Sequence, residues 1–398
     1  MESYLIDWAN LLIRWLHVIA AIAWIGESIY FVMLDNSLHA PRSDAGRKLG
    51  VFGEMWAVHG GGFYHNQKFL TNPPELPDDL HWSFWKSYTT WLSGFALFAV
   101  MYLSSPSLYL VNRSSPWAWA AGLSGVMAAV VAIAFLLLGW LVYDQLCRRI
   151  SPNMERDGPL SIAVAVMMIA VAYLAAQIFQ GRAAFLITGA VMATCMSANV
   201  FFWIISGQRR MVNDIKAGKE PNALDGKRGK QRSVHNTYFT LPVVLLMISN
   251  HYAFTYSSAF AWILMSLLIL SGAVIRQYFV LRHSGRNVLA LPALGVALIA
   301  AGIVLGAPAG SGLIGPTKVT YAQVDQILRA RCTSCHSAKP TQVGFAAAPQ
   351  GLRMDDEHDV KANVLKLKRA VENKYMPLGN LTQMTDEERK IIAQWDGS

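Results

Sequence analysis

The residues with the most specific chemistry in this chain lie near its C-terminus, in the run Cys332-Thr333-Ser334-Cys335-His336. Two thiols separated by two residues and followed at once by an imidazole form the C-x-x-C-H pattern of covalent haem attachment. The sulfurs bond the vinyl groups and the ring ligates iron. The spacing suits this chemistry because both sulfurs and the imidazole must meet one porphyrin edge from a single turn, and a helix over 321–335, seeded by Thr320, is expected to present them. A zinc or redox C-x-x-C is the competing reading, but the only other cysteines are Cys147 and Cys195, which form no second pair. The second axial ligand should be a thioether held on a loop. Met376, followed by Pro377, fits that role and would raise the potential of the iron. Met354 and Met384 are the alternatives; Met384 leads into a last helix opened by Thr385-Asp386-Glu387-Glu388, an N-cap with acidic first-turn residues, and is expected to pack. Trp395 is read as a core aromatic.

A second set of polar residues falls inside or beside apolar runs. His17 lies well inside the first run and His251 near the outer end of the sixth, and ionisable groups at such depth are functional candidates by default. The two are read as candidate ligands of a non-covalent haem b, against simple hydrogen bonding to neighbouring helices. The segment from His59 through Gly60-Gly61-Gly62 to Lys68 combines glycines, histidines and a cation, as an anion-binding loop would; a flexible re-entrant loop is the plain alternative. His81, His235 and Asn236 enter spans from the same side. With His59 and Lys68 they make the candidate catalytic rim.

The elements that position these residues follow from composition. Of 398 residues, 54% are hydrophobic and only 15% are charged, with mean hydropathy +0.31, against about 25% charged in soluble domains. This is a membrane protein. Apolar runs at 9–34, 88–111, 117–143, 160–179, 183–206, 238–256, 259–281 and 288–307 match the ~20 residues that span hydrocarbon, so the expected fold is all-α: a polytopic bundle of about eight transmembrane helices. The first run is read as a retained helix rather than a cleaved signal. Basic residues concentrate in the odd-numbered connections, including Arg148, Arg149, Arg209, Arg210 and Arg232, while the even ones offer only Arg113 and Arg182. The positive-inside rule then puts both termini outside the cytoplasm. Covalent haem attachment occurs on that side too, so the localisation expected is a bacterial inner membrane with the N-terminus and the C-terminal domain periplasmic.

The basic excess, +9 net, is topology signalling rather than a nucleic-acid footprint. No phosphate-binding or hydrolase motif occurs, so nucleotide-driven and hydrolytic chemistry lose their usual markers. After residue 307 a Pro- and Gly-rich linker, 308–317, leads to a small polar domain, 318–398, expected to be a class I-like cytochrome c stapled by its haem.

Several motifs together, His59-Gly60-Gly61-Gly62-Phe63-Tyr64, Tyr88-Thr89-Thr90-Trp91-Leu92-Ser93-Gly94, His235-Asn236-Thr237-Tyr238, Ser249-Asn250-His251-Tyr252 and the C-terminal C-x-x-C-H domain, resemble the bacterial membrane-bound urate hydroxylases. In that family a urate oxidase N-terminal membrane domain is fused to cytochrome c. The resemblance implies oxidation of urate to 5-hydroxyisourate in purine breakdown, with electrons leaving through the haem to a soluble cytochrome c or terminal oxidase. Two other readings compete with it: a non-catalytic membrane cytochrome between quinol or a partner dehydrogenase and a terminal oxidase, and a transporter carrying a fused cytochrome. The large first connection favours the enzyme, because an anchor needs no such loop.

Overall fold

The computed structural model describes residues 2–70, 73–256, 258, 260–283, 285–306 and 319–397. The linker expected at 308–317 lies outside the described residues. The chain opens with α1 (Glu2–Asn36), a hairpin of β1 (Gly53–His59) and β2 (Gly62–Lys68), and α2 (Trp85–Phe98). The bundle continues through α3 (Gly125–Ile150), α4 (Asp157–Ile178), α5 (Gly181–Ala198), α6 (Ser206–Lys216), α7 (Ala223–Ile248), α8 (Ala261–His283) and α9 (Ala290–Leu305). Past the linker come α10 (Tyr321–Arg331), α11 (Val364–Glu372) and α12 (Asp386–Gln394), with short helical turns between.

Among the described residues, five helices are long and apolar enough to cross a membrane: Tyr4–Asn36, Gly125–Ile150, Asp157–Ile178, Gly181–Lys216 and Ala261–Arg282. The other three expected runs take different forms. The run at 88–111 becomes α2 plus a π-helical segment, Ala99–Leu103, and then breaks at Ser105-Pro106. The run at 238–256 is the second half of α7, whose first half carries Asp225, Lys227, Arg228, Lys230 and Arg232. The last is α9, 16 residues long.

Helix α5 is the axis of the bundle, with most of its side chains buried. Small residues let its neighbours approach, the usual device where hydrophobic sorting between helices is weak. A Cβ on Gly139 of α3 would meet Val191 at 2.5 Å, and one on Gly189 would meet Leu246 of α7 at 3.2 Å. Pro242 inside α7 gives up a backbone donor and is received by Gly272 of α8, where a Cβ would lie 2.9 Å from the ring. The outward faces carry Val126, Leu137, Ile162, Val166 and Ile303, as lipid contact requires.

The all-α expectation is corrected at the first connection. His59-Gly60-Gly61-Gly62 is not an open anion-binding loop but the tip of an antiparallel hairpin, pairing Gly53 with Lys68 through His59 with Gly62. Gly60 and Gly61 both take positive φ, +61° and +79°, the pair of left-handed residues that a tight hairpin turn demands. A second π segment, Asn199–Ile205, joins α5 to α6.

Candidate functional site

A buried polar cluster lies where α3, α5 with its π segment, and α7 meet. Tyr143 of α3 places its hydroxyl 2.8 Å from His235 Nδ1, and the same oxygen accepts from Asn199 Nδ2 at 2.9 Å. Asn199 Nδ2 also reaches Asn236 Oδ1 at 2.9 Å, while Asn236 Nδ2 donates to the Met196 carbonyl. Because the Tyr143 oxygen already accepts from Asn199, its proton is directed at His235 Nδ1, which leaves the His235 ring proton on Nε2.

Next to Tyr143 on α3, Asp144 gathers the cluster's cations. Its carboxylate accepts from Arg232 Nη2 at 3.0 Å, from Trp203 Nε1 at 2.7 Å and from Arg148 Nε at 2.6 Å. Arg232 lies over the rings of Tyr143 and Trp203, 5.2 and 5.0 Å from their centroids. The π segment matters here because the extra residue in its turn rotates Asn199 and Trp203 toward α3 and α7; such bulges recur at functional sites. Two atoms in the cluster have no partner among the described residues, Asn199 Oδ1 and Arg232 Nη1. Both are fully buried. Buried polar atoms are normally satisfied, so the cluster keeps one acceptor and one cationic donor with capacity to spare. Such a pair can hold a small planar molecule that offers an N–H and a carbonyl or anionic oxygen.

The structure divides the expected rim. His235 and Asn236 are buried together in this cluster. His59 is exposed on the hairpin turn, His81 is exposed on the connection to α2, and Lys68 pairs with Asp35 at 2.6 Å. The hairpin is held from beneath by Glu54, which accepts from the Arg42 amide at 2.9 Å and meets His65 Nε2 at 3.0 Å, with His65 stacked on Trp56. The reason for the split is geometric: the glycines close a turn on themselves, so His59 points away from the bundle. Tyr143, Asp144, Asn199 and Arg232 are the members that sequence reasoning passed over. Asn199 sits within an apolar run and Asp144 directly follows one, and that alone could have flagged them.

His17 and His251 are not brought to a common point by any contact among the described residues. His17 Nδ1 lies 2.9 Å from the Thr90 carbonyl and 3.1 Å from Ser93 Oγ. Gly94 lets α2 lie flat against that ring, since a Cβ there would sit 2.9 Å from His17 Cε1. His251 is exposed in a short turn after α7.

The C-terminal domain is built on Val324, Leu328, Val360, Val371, Ile392 and Trp395. Helix α10 opens with a capping box between Thr320 and Gln323 and ends at Arg331, four residues sooner than the sequence suggests. Thr333 N bonds to the Leu328 carbonyl and His336 N to that of Cys332, so the C-x-x-C-H run wraps as a looser turn. Cys332 and Cys335 are free thiols, and burial pushes that of Cys332 up to about 12. His336 Nδ1 lies 2.8 Å from the Leu352 carbonyl, which fixes the ring and leaves Nε2 free to ligate. Met354 and Met384 are packed in the core, whereas Met376 is only half buried on a loop that Arg389 holds by donating to the Met376 and Val371 carbonyls. These side chains could hold a haem.

This domain rests on the end of the bundle formed by the connections after α2 and α4. Gly379 fits against Gln180 and the Leu108 carbonyl, and Tyr375 meets Tyr256 edge-on at 6.2 Å. A cavity of about 680 Å³ lies between, lined by Gln180, Arg182, Tyr256, Lys374 and Arg389 among others.

A sequence profile described as urate oxidase N-terminal matches residues 3–307. The chain belongs to the urate oxidase N-terminal family. No curated protein and no solved structure matches it. Family membership points to urate-related chemistry and to an oxidoreductase, and the matched region ends where the described bundle ends. The buried cluster of α3, α5 and α7 thus lies wholly within the urate oxidase N-terminal region.

Proposed function

We propose that the chain oxidises urate to 5-hydroxyisourate at the Tyr143, Asn199, Arg232 and His235 cluster, and that the two electrons leave one at a time through a c-type haem in the C-terminal domain. The observation that carries this reading is the pair of unmet buried atoms, Asn199 Oδ1 and Arg232 Nη1. Urate is a planar anion rimmed with N–H and carbonyl groups, so Asn199 Oδ1 accepts one ring N–H while Arg232 Nη1 donates to an adjacent oxygen and offsets the negative charge. Arg232 suits the role because Asp144 fixes its other nitrogen, which orients the planar fork in advance.

Oxidation with water as the oxygen source gives 5-hydroxyisourate, two electrons and two protons. His235 is the group placed to move a proton: one ring nitrogen faces Tyr143, and imidazole accepts at one nitrogen while releasing at the other. Tyr143 and Asn199 hold that ring in place. The apolar walls, including Phe239 5.8 Å from Tyr143, exclude bulk water, which strengthens each of these interactions.

What supports the haem is its donor set: two free thiols, an imidazole with Nδ1 engaged and Nε2 open, and the Met376 thioether on an adjoining loop. When bound, it accepts single electrons and passes them outward to a soluble cytochrome c or terminal oxidase. The orientation that goes with this reading places the C-terminal domain on the periplasmic side of a bacterial inner membrane.

Anaerobic addition of urate to the purified, oxidised protein tests the function. Two equivalents of haem should be reduced per urate consumed. Absence of haem reduction without other subunits would leave the non-catalytic cytochrome as the better reading.

A further inference from the structure

We infer that Gln180, at the end of the membrane bundle, is a positioning residue for the Met376 loop of the C-terminal domain and holds the Met376 thioether where it can meet iron. The inference rests on the haem proposed above, and it starts from backbone groups. Gly379, three residues after Met376, has φ +60°, a left-handed turn that glycine enters without strain. That turn brings its N–H to the Gln180 side chain. With the Gln180 amide oriented to satisfy both neighbours, Oε1 accepts from the Gly379 N–H and Nε2 donates to the Tyr109 carbonyl at 3.1 Å. A side chain at 379 would crowd this contact, since a Cβ there would lie 2.8 Å from the Gln180 amide and 3.6 Å from the Leu108 carbonyl.

Gln180 suits an anchor because its own backbone is fixed on both sides. Its N–H donates to the Leu110 carbonyl at 3.2 Å, and its carbonyl accepts from the Ala184 N–H at 2.8 Å in the first turn of α5. Beside it Val111 and Phe179 form an isolated antiparallel bridge, and Leu110, Val111 and Phe179 are all buried. This joins the connection after α2 to the one that leads into α5, the axis of the bundle. The C-terminal domain therefore sets its loop on a rigid part of the membrane domain.

The two ends of the loop are stitched to its own domain. The Met376 N–H donates to the Ala370 carbonyl at 2.9 Å, and Arg389 donates from Nη1 to the Met376 carbonyl at 2.7 Å and from Nη2 to Asn380 Oδ1 at 3.2 Å. Asn380 in turn bonds the Met384 backbone, donating from Nδ2 at 3.2 Å and accepting at Oδ1 at 3.0 Å. The tip between these stitches, Gly379, is the part that the bundle holds. A thioether is a neutral, weak acceptor, so its grip on iron depends on how far the loop is already in place, as for any preorganised ligand. Docking of the domain and ligation by Met376 are then coupled, and whatever tightens one tightens the other.

The test needs no urate. Imidazole competes with the thioether for ferric iron, so its affinity for the oxidised, full-length protein in detergent reads how firmly Met376 is held. In Gln180→Ala the Gly379 N–H loses its acceptor at the junction, and imidazole should bind about tenfold or more tightly, equivalent to about 1.4 kcal/mol, while the sulfur-to-iron absorption band weakens. Gly379→Ala should act in the same direction, because both the left-handed backbone and the crowding at Gln180 oppose a Cβ. Covalent haem on a stained denaturing gel and the unfolding temperature should match wild type in Gln180→Ala, which separates a loosened ligand from a damaged fold. Wild-type imidazole affinity and an intact band in both variants would overturn the inference and leave the haem reading standing. A wild-type protein without covalent haem on the same gel would overturn both.

Discussion

The Tyr143 hydroxyl and His235 Nδ1 meet at 2.8 Å across α3 and α7, although 92 residues separate them in the chain. That bond ties the candidate proton-moving imidazole to the helix carrying Asp144. In Tyr143→Phe, His235 Nδ1 loses its donor and Asn199 Nδ2 loses an acceptor in dry surroundings, each costing about 1–3 kcal/mol. Urate-dependent haem reduction should fall by at least about tenfold, the scale of 1.4 kcal/mol, with helical content by circular dichroism unchanged. Wild-type rates in this variant would remove Tyr143 from the site.

Asp144 and Arg232 should show the asymmetry of a buried pair. Asp144→Asn or Arg232→Met leaves one buried charge uncompensated and is expected to cost about 3–5 kcal/mol, seen as a lower unfolding temperature in detergent. Combining Asp144→Leu with Arg232→Met should restore much of that stability, yet urate binding, followed by calorimetry, should stay lost. Recovery of binding in the double variant would show that Arg232 does not contact urate.

Cys332→Ala with Cys335→Ala should abolish covalent haem on a stained denaturing gel, because both thioether bonds come from this one turn. A persistent stain would refute the attachment site.

Met376→Ala should lower the haem potential and remove the weak sulfur-to-iron absorption band, since the thioether favours ferrous iron. Loss of that band in Met354→Ala or Met384→Ala instead would move the ligand into the core.

The hairpin should loosen in acid. The Arg42 amide, and then His65, hold the Glu54 carboxylate below its ordinary range against the opposing effect of burial. A depressed folded value means that the anchoring is complete above the unfolded value, about 4.3, and is lost as pH falls through the lower folded one. Amide exchange at Trp56 through Tyr64 should therefore rise in that acid window, and Glu54→Gln should show the raised exchange already at neutral pH. Equal protection in the two proteins at neutral pH would mean the strands hold themselves.

The sequence by itself determined the membrane character and the C-x-x-C-H run, because both are local: apolar length is read residue by residue, and the thiols and imidazole must share one turn. It also marked His235 and Asn236. It could not assemble their partners, since Tyr143, Asn199 and Arg232 lie on three different helices and are neighbours only because Gly139 and Gly189 let those helices close on α5. It set His59 and Lys68 beside them because glycine-rich spacing fits an anion loop and a tight turn equally well. Only the tertiary structure decided between the two, because antiparallel pairing of Gly53–His59 with Gly62–Lys68 engages the backbone that an anion-binding loop would have left open.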